Sequence, residues 1–199
     1  MNPHRVTSDF EQALCNYTGA RNAVAVDSCS NALFLCMKYL RAEGQEITIP
    51  SHTYMSVPCQ IIHAGAKAKF KDSPSFLKGA YRLEPTPIWD SALRLTKNMY
   101  IENQYMCLSF SGPNKILKLG KGGAILMDDL KAYEWFKKAR YHGRNSVDHL
   151  SDNFNTLGWN MYMPPDTAAR GILLIAGMKE NEDVAQEYQD LSIFDIYKK

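Results

Sequence analysis

Short apolar runs alternate along this chain with segments of helical spacing, and this alternation limits the possible fold more than any other feature. Residues 23–26 and 47–49 are continuously apolar and have the length of buried strands. Between them, residues 33–40 place apolar side chains at the i, i+3, i+4, i+7 positions of a helix. The alternation predicts an α/β fold, with helices on both faces of a mainly parallel sheet.

The same patterns predict the remaining elements. Further strands are predicted at residues 66–70, 87–89, 106–110 and 124–127. Helices are predicted from a capping box at Ser8 and Glu11 to Gly19, over residues 54–64, from Asp128 or Asp129 to about residue 141, and after Asp166. No linker divides the chain, so we expect residues 1–199 to form a single domain.

Composition and charge exclude several classes of protein. The chain has 23 Lys and Arg against 21 Asp and Glu, a balance that argues against a nucleic-acid or membrane-surface binder. It has neither a signal-peptide pattern nor an apolar run long enough to span a bilayer. The five cysteines are scattered, as reduced thiols in a cytoplasmic protein are. The five histidines form no zinc motif, and we expect no metal site.

Polar residues follow the predicted strands, where open α/β sheets bind their ligands. Residues 27–31 lead from a strand into a helix and could bind a phosphate, with Ser30 as an extra donor; an ordinary helix cap is the alternative. Tyr54 follows the second strand and could lie over a planar ligand or belong to the core. Asp90 ends an apolar strand, where it is either a site carboxylate or a helix cap.

Lys115 lies in a turn between two predicted core strands. A desolvated amine there could have a lowered pKa and act as a nucleophile, although most loop lysines are solvated. Residues 111–145 carry eight Lys and Arg against three acidic residues. This excess of positive charge lies either on a solvated helix face or at the entrance of a site that attracts a phosphorylated ligand.

Seven segments occur in an order that resembles a known family. They are Phe10-Glu11 through Gly19, Val26-Asp27-Ser28-Cys29-Ser30-Asn31-Ala32-Leu33, Ile49-Pro50-Ser51-His52-Thr53-Tyr54, Gly65-Ala66 to Asp72, Ile88-Trp89-Asp90-Ser91-Ala92, Leu108-Ser109-Phe110 through Lys115 to Gly123-Ala124, and His142-Gly143-Arg144 with Leu157-Gly158-Trp159-Asn160 to Ala168-Ala169. Together they resemble the DegT/DnrJ/StrS-type sugar aminotransferases. The resemblance implies a fold type I pyridoxal-phosphate transferase, in a shortened form without the family's C-terminal small domain.

The resemblance also implies a role for each matching residue. Lys115 would form the aldimine with pyridoxal phosphate, and Asp90 would pair with the pyridine nitrogen of the cofactor. Tyr54 would stack on the ring, and Asn160 would reach the phosphate of the neighbouring subunit in a homodimer with shared sites. The residues that would hold the phosphate are Ser30, the Asn31 backbone and Ser109.

The implied reaction transfers an amino group from glutamate to a nucleotide-linked keto-sugar. Two alternatives stay open: a sugar dehydratase dependent on the same cofactor, and a degenerate or partner-dependent binding module of the same fold. The chain also departs from the family pattern. Cys29 replaces a turn glycine, Leu93 lies where a polar residue is usual, and the spacing from Ser109 to Lys115 is one residue longer.

Overall fold

The structure is a computed structural model that describes residues 5–145 and 150–197. Its helices are α1 (Arg5–Thr18), α2 (Cys29–Tyr39), α3 (Ser56–His63), α4 (Leu130–Ala139) and α5 (Pro165–Ala176). Its strands are β1 (Asn22–Val26), β2 (Glu46–Pro50), β3 (Lys67–Lys71), β4 (Phe76–Leu83), β5 (Ile88–Leu93), β6 (Tyr105–Ser109), β7 (Gly123–Met127) and β8 (Ala185–Glu187). In the described part of the chain, no helix combines the length and apolar character needed to cross a bilayer.

Six of the strands form one sheet in the order β1-β7-β6-β5-β4-β8. The α/β class predicted from the sequence is confirmed, but the predicted strand directions need correction. Among the described strands of this sheet, β5 and β6 run parallel, whereas the other neighbours pair antiparallel. The prediction of a mainly parallel sheet assumed that a helix joins successive strands, and here β4 joins β5 by a short turn. A separate parallel pair joins β2 and β3.

Helices cover both faces of the six-stranded sheet, because its central strands are apolar on both sides. Val24 and Ile125 lie in one core cluster with α2 and α4. Ala25 and Leu126, their neighbours in sequence, lie in a second cluster with α1 and α5. Adjacent strand residues point to opposite faces, so continuous apolar runs are what a sheet between two helical layers requires.

The first helix differs from its prediction. Ser8 was expected to cap α1, but α1 begins at Arg5, and Ser8 therefore lies inside the helix. Glu11 is buried and forms an ion pair with Arg140, which follows α4. One Glu11 oxygen also accepts a hydrogen bond from the Ala25 backbone N–H at 2.8 Å. Glu11 thus joins α1, β1 and the end of α4, rather than completing a capping box.

A strand that the sequence patterns do not predict, β4, lies beside β5. Its register pairs Tyr81 with Asp90 and Gly79 with Leu93, with an irregularity between Gly79 and Tyr81. Gly79 has a φ of 72°, which an L-residue side chain disfavours. The bulge interrupts the two-residue alternation by which a strand is recognised.

Candidate active site

A cavity of about 530 Å³ opens where β5 and β6 end and α2 begins. Five of the seven predicted site residues line it, namely Ser30, Tyr54, Asp90, Ser109 and Lys115. The cavity is also lined by Ser28, Cys29, Leu33, Ser56, Val57, Ala92, Ser111, Gly112, Pro113, Asn114, Gly120, Lys121, Gln186 and Tyr188. Residues far apart in the sequence therefore meet at the strand ends, where a ligand site was predicted.

The N-terminus of α2 forms one wall of the cavity. Ser28 caps the helix by accepting a hydrogen bond from the Asn31 N–H at 3.1 Å. The Ser30 hydroxyl lies 2.7 Å from that of Ser56 on α3. A Cβ at Gly123 would lie 2.5 Å from the Cys29 backbone nitrogen, so β7 approaches this turn as closely as glycine allows. The positive end of the α2 dipole therefore faces the cavity, beside two hydroxyls.

Asn31 and Asn160 do not line this cavity. The Asn31 side chain instead donates to Asp27 Oδ1 at 2.7 Å, and its backbone N–H serves the Ser28 cap. Asn160 forms an isolated bridge with Tyr141. The predicted phosphate contacts of these two residues stay predictions, and for Asn160 the prediction concerns a neighbouring subunit.

Asp90 is the buried carboxylate of the site, with 5% of its surface exposed. It lies within β5 and is not the helix cap considered as an alternative. Its Oδ1 accepts from the Ala92 N–H at 2.9 Å, and its Oδ2 accepts from the Tyr81 hydroxyl at 2.9 Å. Burial raises the pKa of Asp90 above its ordinary value, while both hydrogen bonds and the Lys115 ammonium oppose this rise.

Lys115 is half-buried in the loop that follows β6, and it faces the same cavity as Asp90. Burial lowers the pKa of Lys115, whereas the Asp90 carboxylate acts in the opposite direction. A larger fraction of this amine is consequently neutral, and thus nucleophilic, than for a fully solvated lysine.

The loop that carries Lys115 is closed by hydrogen bonds at its base. The Phe110 N–H donates to the Gly122 carbonyl at 2.9 Å, and the Leu119 N–H donates to the Phe110 carbonyl at 3.0 Å. The Ser111 hydroxyl accepts from the Gly122 N–H at 3.2 Å. Ser111 therefore closes the base of this loop, in which the spacing from Ser109 to Lys115 is one residue longer than in the family pattern. The Ser109 side chain lines the cavity.

The structure accommodates two of the departures from the family pattern, at Cys29 and at Leu93. Cys29 begins α2 without a positive φ, and its thiol lies 3.9 Å from Asp90 Oδ1. Burial raises the pKa of Cys29, so the thiol keeps its proton beside the carboxylate. Leu93 is buried at 2% exposure outside the cavity lining, and Ala92 faces the cavity instead.

β8 and the residue that follows it contribute to the cavity wall, a contribution that sequence patterns did not reveal. Gln186 and Tyr188 line the cavity, and the Tyr188 ring lies 6.4 Å from that of Tyr54 between centroids. The Leu191 N–H donates to the Ser51 carbonyl at 2.8 Å, which holds the segment after β8 against the loop after β2. β8 is three residues long, too short for a periodic signal.

The positively charged residues that were predicted to surround one site lie at separate places in the structure. Lys115 and Lys121 line the cavity, whereas Lys131 and Lys138 border a separate hollow beside α4. Arg140 is buried in its ion pair with Glu11. The positive charge available to a ligand is therefore smaller than the sequence count suggests.

These residues fit pyridoxal phosphate. The helix N-terminus with Ser30 suits a phosphate, the buried Asp90 carboxylate suits a protonated ring nitrogen, and Lys115 offers an amine. The fit rests on two features: the hydrogen-bond donors at the start of α2, and the buried Asp90 carboxylate, which lines the cavity.

Comparison with known structures defines the class of the fold. The chain is similar to Helicobacter pylori PseC, an aminotransferase involved in the biosynthesis of pseudoaminic acid, with a TM-score of 0.71 at 17% identity. It is also similar to DesV of S. venezuelae, with a TM-score of 0.70 at 19% identity. Both matches cover 86% of this chain, and 57% and 56% of the respective structures. The fold is thus that of the pyridoxal-phosphate-dependent aminotransferases, as predicted.

The sequence comparison gives matches over the N-terminal part of the chain. Residues 4–76 match the model of the DegT/DnrJ/EryC1/StrS aminotransferase family, which confirms the predicted resemblance over this part of the chain. The spore coat polysaccharide biosynthesis protein SpsC of Bacillus subtilis (strain 168) is 41% identical over 64 residues. That match covers 32% of this chain and 16% of SpsC. A protein of similar fold, Spr1654 from Streptococcus pneumoniae, has been solved in PLP and PMP forms.

Proposed function

We propose that this protein is a pyridoxal-phosphate-dependent aminotransferase whose cofactor is anchored by Lys115. The observation that carries the proposal is the meeting of Lys115 and the buried Asp90 in one cavity at the N-terminus of α2. The family match and the aminotransferase fold support it. The five cysteines are free, as expected for the cytoplasm that we propose as its location.

Five residues of the cavity have a task in this reaction. Ser30 and the start of α2 bind the phosphate, and Asp90 holds a proton on the ring nitrogen. Pyridoxal phosphate, when bound, supplies an electron sink for the charge left at a substrate carbon that loses its proton. The neutral Lys115 amine would accept and return that proton, and Ser109 and Tyr54 line the cavity in which the ligand would lie.

We propose glutamate as the amino donor and a nucleotide-linked keto-sugar as the acceptor. Lys121 places a positive charge at the cavity, which suits a diphosphate. SpsC, whose name refers to polysaccharide biosynthesis, matches part of the chain and supports a sugar substrate. We also propose a homodimer, in which Asn160 of the partner subunit completes the phosphate site.

The test is a half-reaction with a single donor. Protein loaded with pyridoxal phosphate is freed of excess cofactor, and L-glutamate is added while visible absorbance and 2-oxoglutarate are measured. We expect the cofactor band to disappear and one equivalent of 2-oxoglutarate to form, with D-glutamate as the inactive control. A stable band in the presence of L-glutamate would contradict glutamate as the donor. Failure to retain any cofactor would favour the binding-module alternative.

A further inference from the structure

Asp90 is held by a side chain that the proposed reaction does not account for. Tyr81 lies on β4 directly opposite Asp90 in the antiparallel register. Directly opposed residues of an antiparallel pair project to the same face of the sheet. The Tyr81 hydroxyl consequently reaches Asp90 Oδ2 at 2.9 Å.

A second hydroxyl fixes the direction of this hydrogen bond. Thr53 Oγ1 lies 2.6 Å from the Tyr81 hydroxyl oxygen, and Thr53 is buried with 1% of its surface exposed. A tyrosine hydroxyl has one hydrogen to donate. When Tyr81 donates that hydrogen to the Asp90 carboxylate, Thr53 must donate its own hydrogen to Tyr81. The three side chains then form a chain of donors that ends on Asp90.

We propose that Tyr81, held in place by Thr53, is a positioning residue that orients the Asp90 carboxylate toward the cavity and stabilises its ionised form. The bond to Tyr81 fixes Oδ2, and the Ala92 N–H fixes Oδ1, so the carboxylate plane cannot rotate freely. The consequence for cofactor binding rests on the proposed function, but the hydrogen bonding does not.

The titratable groups around Asp90 offer little other stabilisation of its ionised form, so the hydrogen bond from the Tyr81 hydroxyl matters. The titratable groups around it are Cys29 from α2, Cys107 from β6, Tyr81 from β4, Tyr188 after β8 and Lys115 from the loop after β6. Burial raises the pKa of both thiols and both tyrosines, so these groups stay neutral and protonated. Of this set, Lys115 is the cation, and a nucleophilic role requires it to be neutral for part of the time.

The experiment measures the pKa of Asp90 in the full chain without cofactor. Aspartate labelled with ¹³C at the side-chain carboxyl is incorporated, and the Asp90 signal is assigned with Asp90→Asn. We expect Tyr81→Phe to raise the pKa of Asp90 by about one unit, a tenfold change in proton affinity. Thr53→Val should raise it less, because the Tyr81 hydroxyl remains and still donates.

Tyr105→Phe is the matched control. It removes a tyrosine hydroxyl that donates to another carboxylate, Asp129, at 3.0 Å. We expect it to leave the Asp90 titration unchanged. An unchanged Asp90 pKa in folded Tyr81→Phe, or an equal shift in Tyr105→Phe, would overturn the proposal. If Tyr81→Phe does not fold, Thr53→Val decides, and its lack of any shift would count against the proposal.

A second measurement separates this inference from the proposed function. Titration with pyridoxal phosphate should show binding to Tyr81→Phe that is weaker than to the unchanged chain, by up to about tenfold, since an Asp90 that is protonated more often pairs less well with a protonated ring nitrogen. If no variant and not even the unchanged chain binds the cofactor, the proposed function fails. The Asp90 titration would still support or overturn the role of Tyr81.

Discussion

Asp90→Asn is expected to reduce amino-group transfer by about 100-fold or more, while the protein stays folded. Asparagine preserves the shape of the side chain and can still accept from the Ala92 N–H, but it carries no charge to keep the ring nitrogen protonated. The rate of 2-oxoglutarate formation from glutamate measures this loss. A rate equal to that of the unchanged chain would refute the role assigned to Asp90.

The same substitution should have the opposite effect on stability. Burial raises the pKa of Asp90 in the folded chain, so its contribution to stability is complete in acid and is lost as pH rises through the raised pKa. We therefore expect the Asn variant, without cofactor, to melt at a higher temperature than the unchanged chain at pH 7. This advantage should vanish below about pH 4.

Asp183→Asn is the matched control for the pH effect. Asp183 accepts two hydrogen bonds from Arg94, at 2.8 and 2.6 Å, and the Arg94 guanidinium lowers its pKa. Its contribution has the opposite sign, since it is present above the ordinary aspartate pKa and is lost as pH falls. We expect this variant to be destabilised at pH 7 and to transfer amino groups at the usual rate. Equal thermal behaviour of the two variants would contradict the electrostatic account.

Among the substitutions proposed for this protein, Glu11→Gln should cause the largest decrease in the free energy of unfolding. Glu11→Gln leaves Arg140, a residue that is 9% exposed, without its carboxylate partner, and breaking a buried ion pair costs about 3–5 kcal/mol. Urea unfolding followed by circular dichroism measures the change. Replacing both partners, Glu11→Leu with Arg140→Met, should be less damaging than the single substitution, because it leaves no buried charge alone.

Glu46→Gln provides the comparison for this prediction. Glu46 pairs with Lys69 at 2.8 Å, with 59% of each side chain exposed. Exposed pairs contribute about 1 kcal/mol or less to the free energy of unfolding. If Glu11→Gln destabilised the protein no more than Glu46→Gln, the Glu11–Arg140 pair would not hold α1 to the sheet.

Local patterns predicted those parts of the fold that local interactions determine. Ser28 and Asp129 both follow strands and accept hydrogen bonds from the first turn of the next helix, and such caps are readable from a few neighbouring residues. The apolar runs of β1 and β7 are buried on both faces, which continuous apolar sequence predicts.

The features of the fold and the site that were not predicted depend on pairings between residues far apart in the sequence. Gly79 breaks the alternation of β4, so neither the strand nor the hydrogen bond from Tyr81 to Asp90 could be predicted. Tyr188 reaches the cavity because β8 pairs with β4, and a strand of three residues gives no sign of that pairing in the sequence. Glu11 fitted a capping box by sequence, and its true partner, Arg140, lies 129 residues away.

The central claim, that Lys115 anchors pyridoxal phosphate in this cavity, is tested most directly by covalent labelling. The protein is saturated with the cofactor, reduced with borohydride and digested, and the labelled peptide is located by mass. Lys121, which also lines the cavity, and Lys118, which is exposed in the same loop, provide the control variants. We predict one label on Lys115, lost in Lys115→Ala and kept in Lys118→Ala and Lys121→Ala. A label on another lysine, or none at saturating cofactor, would contradict the account.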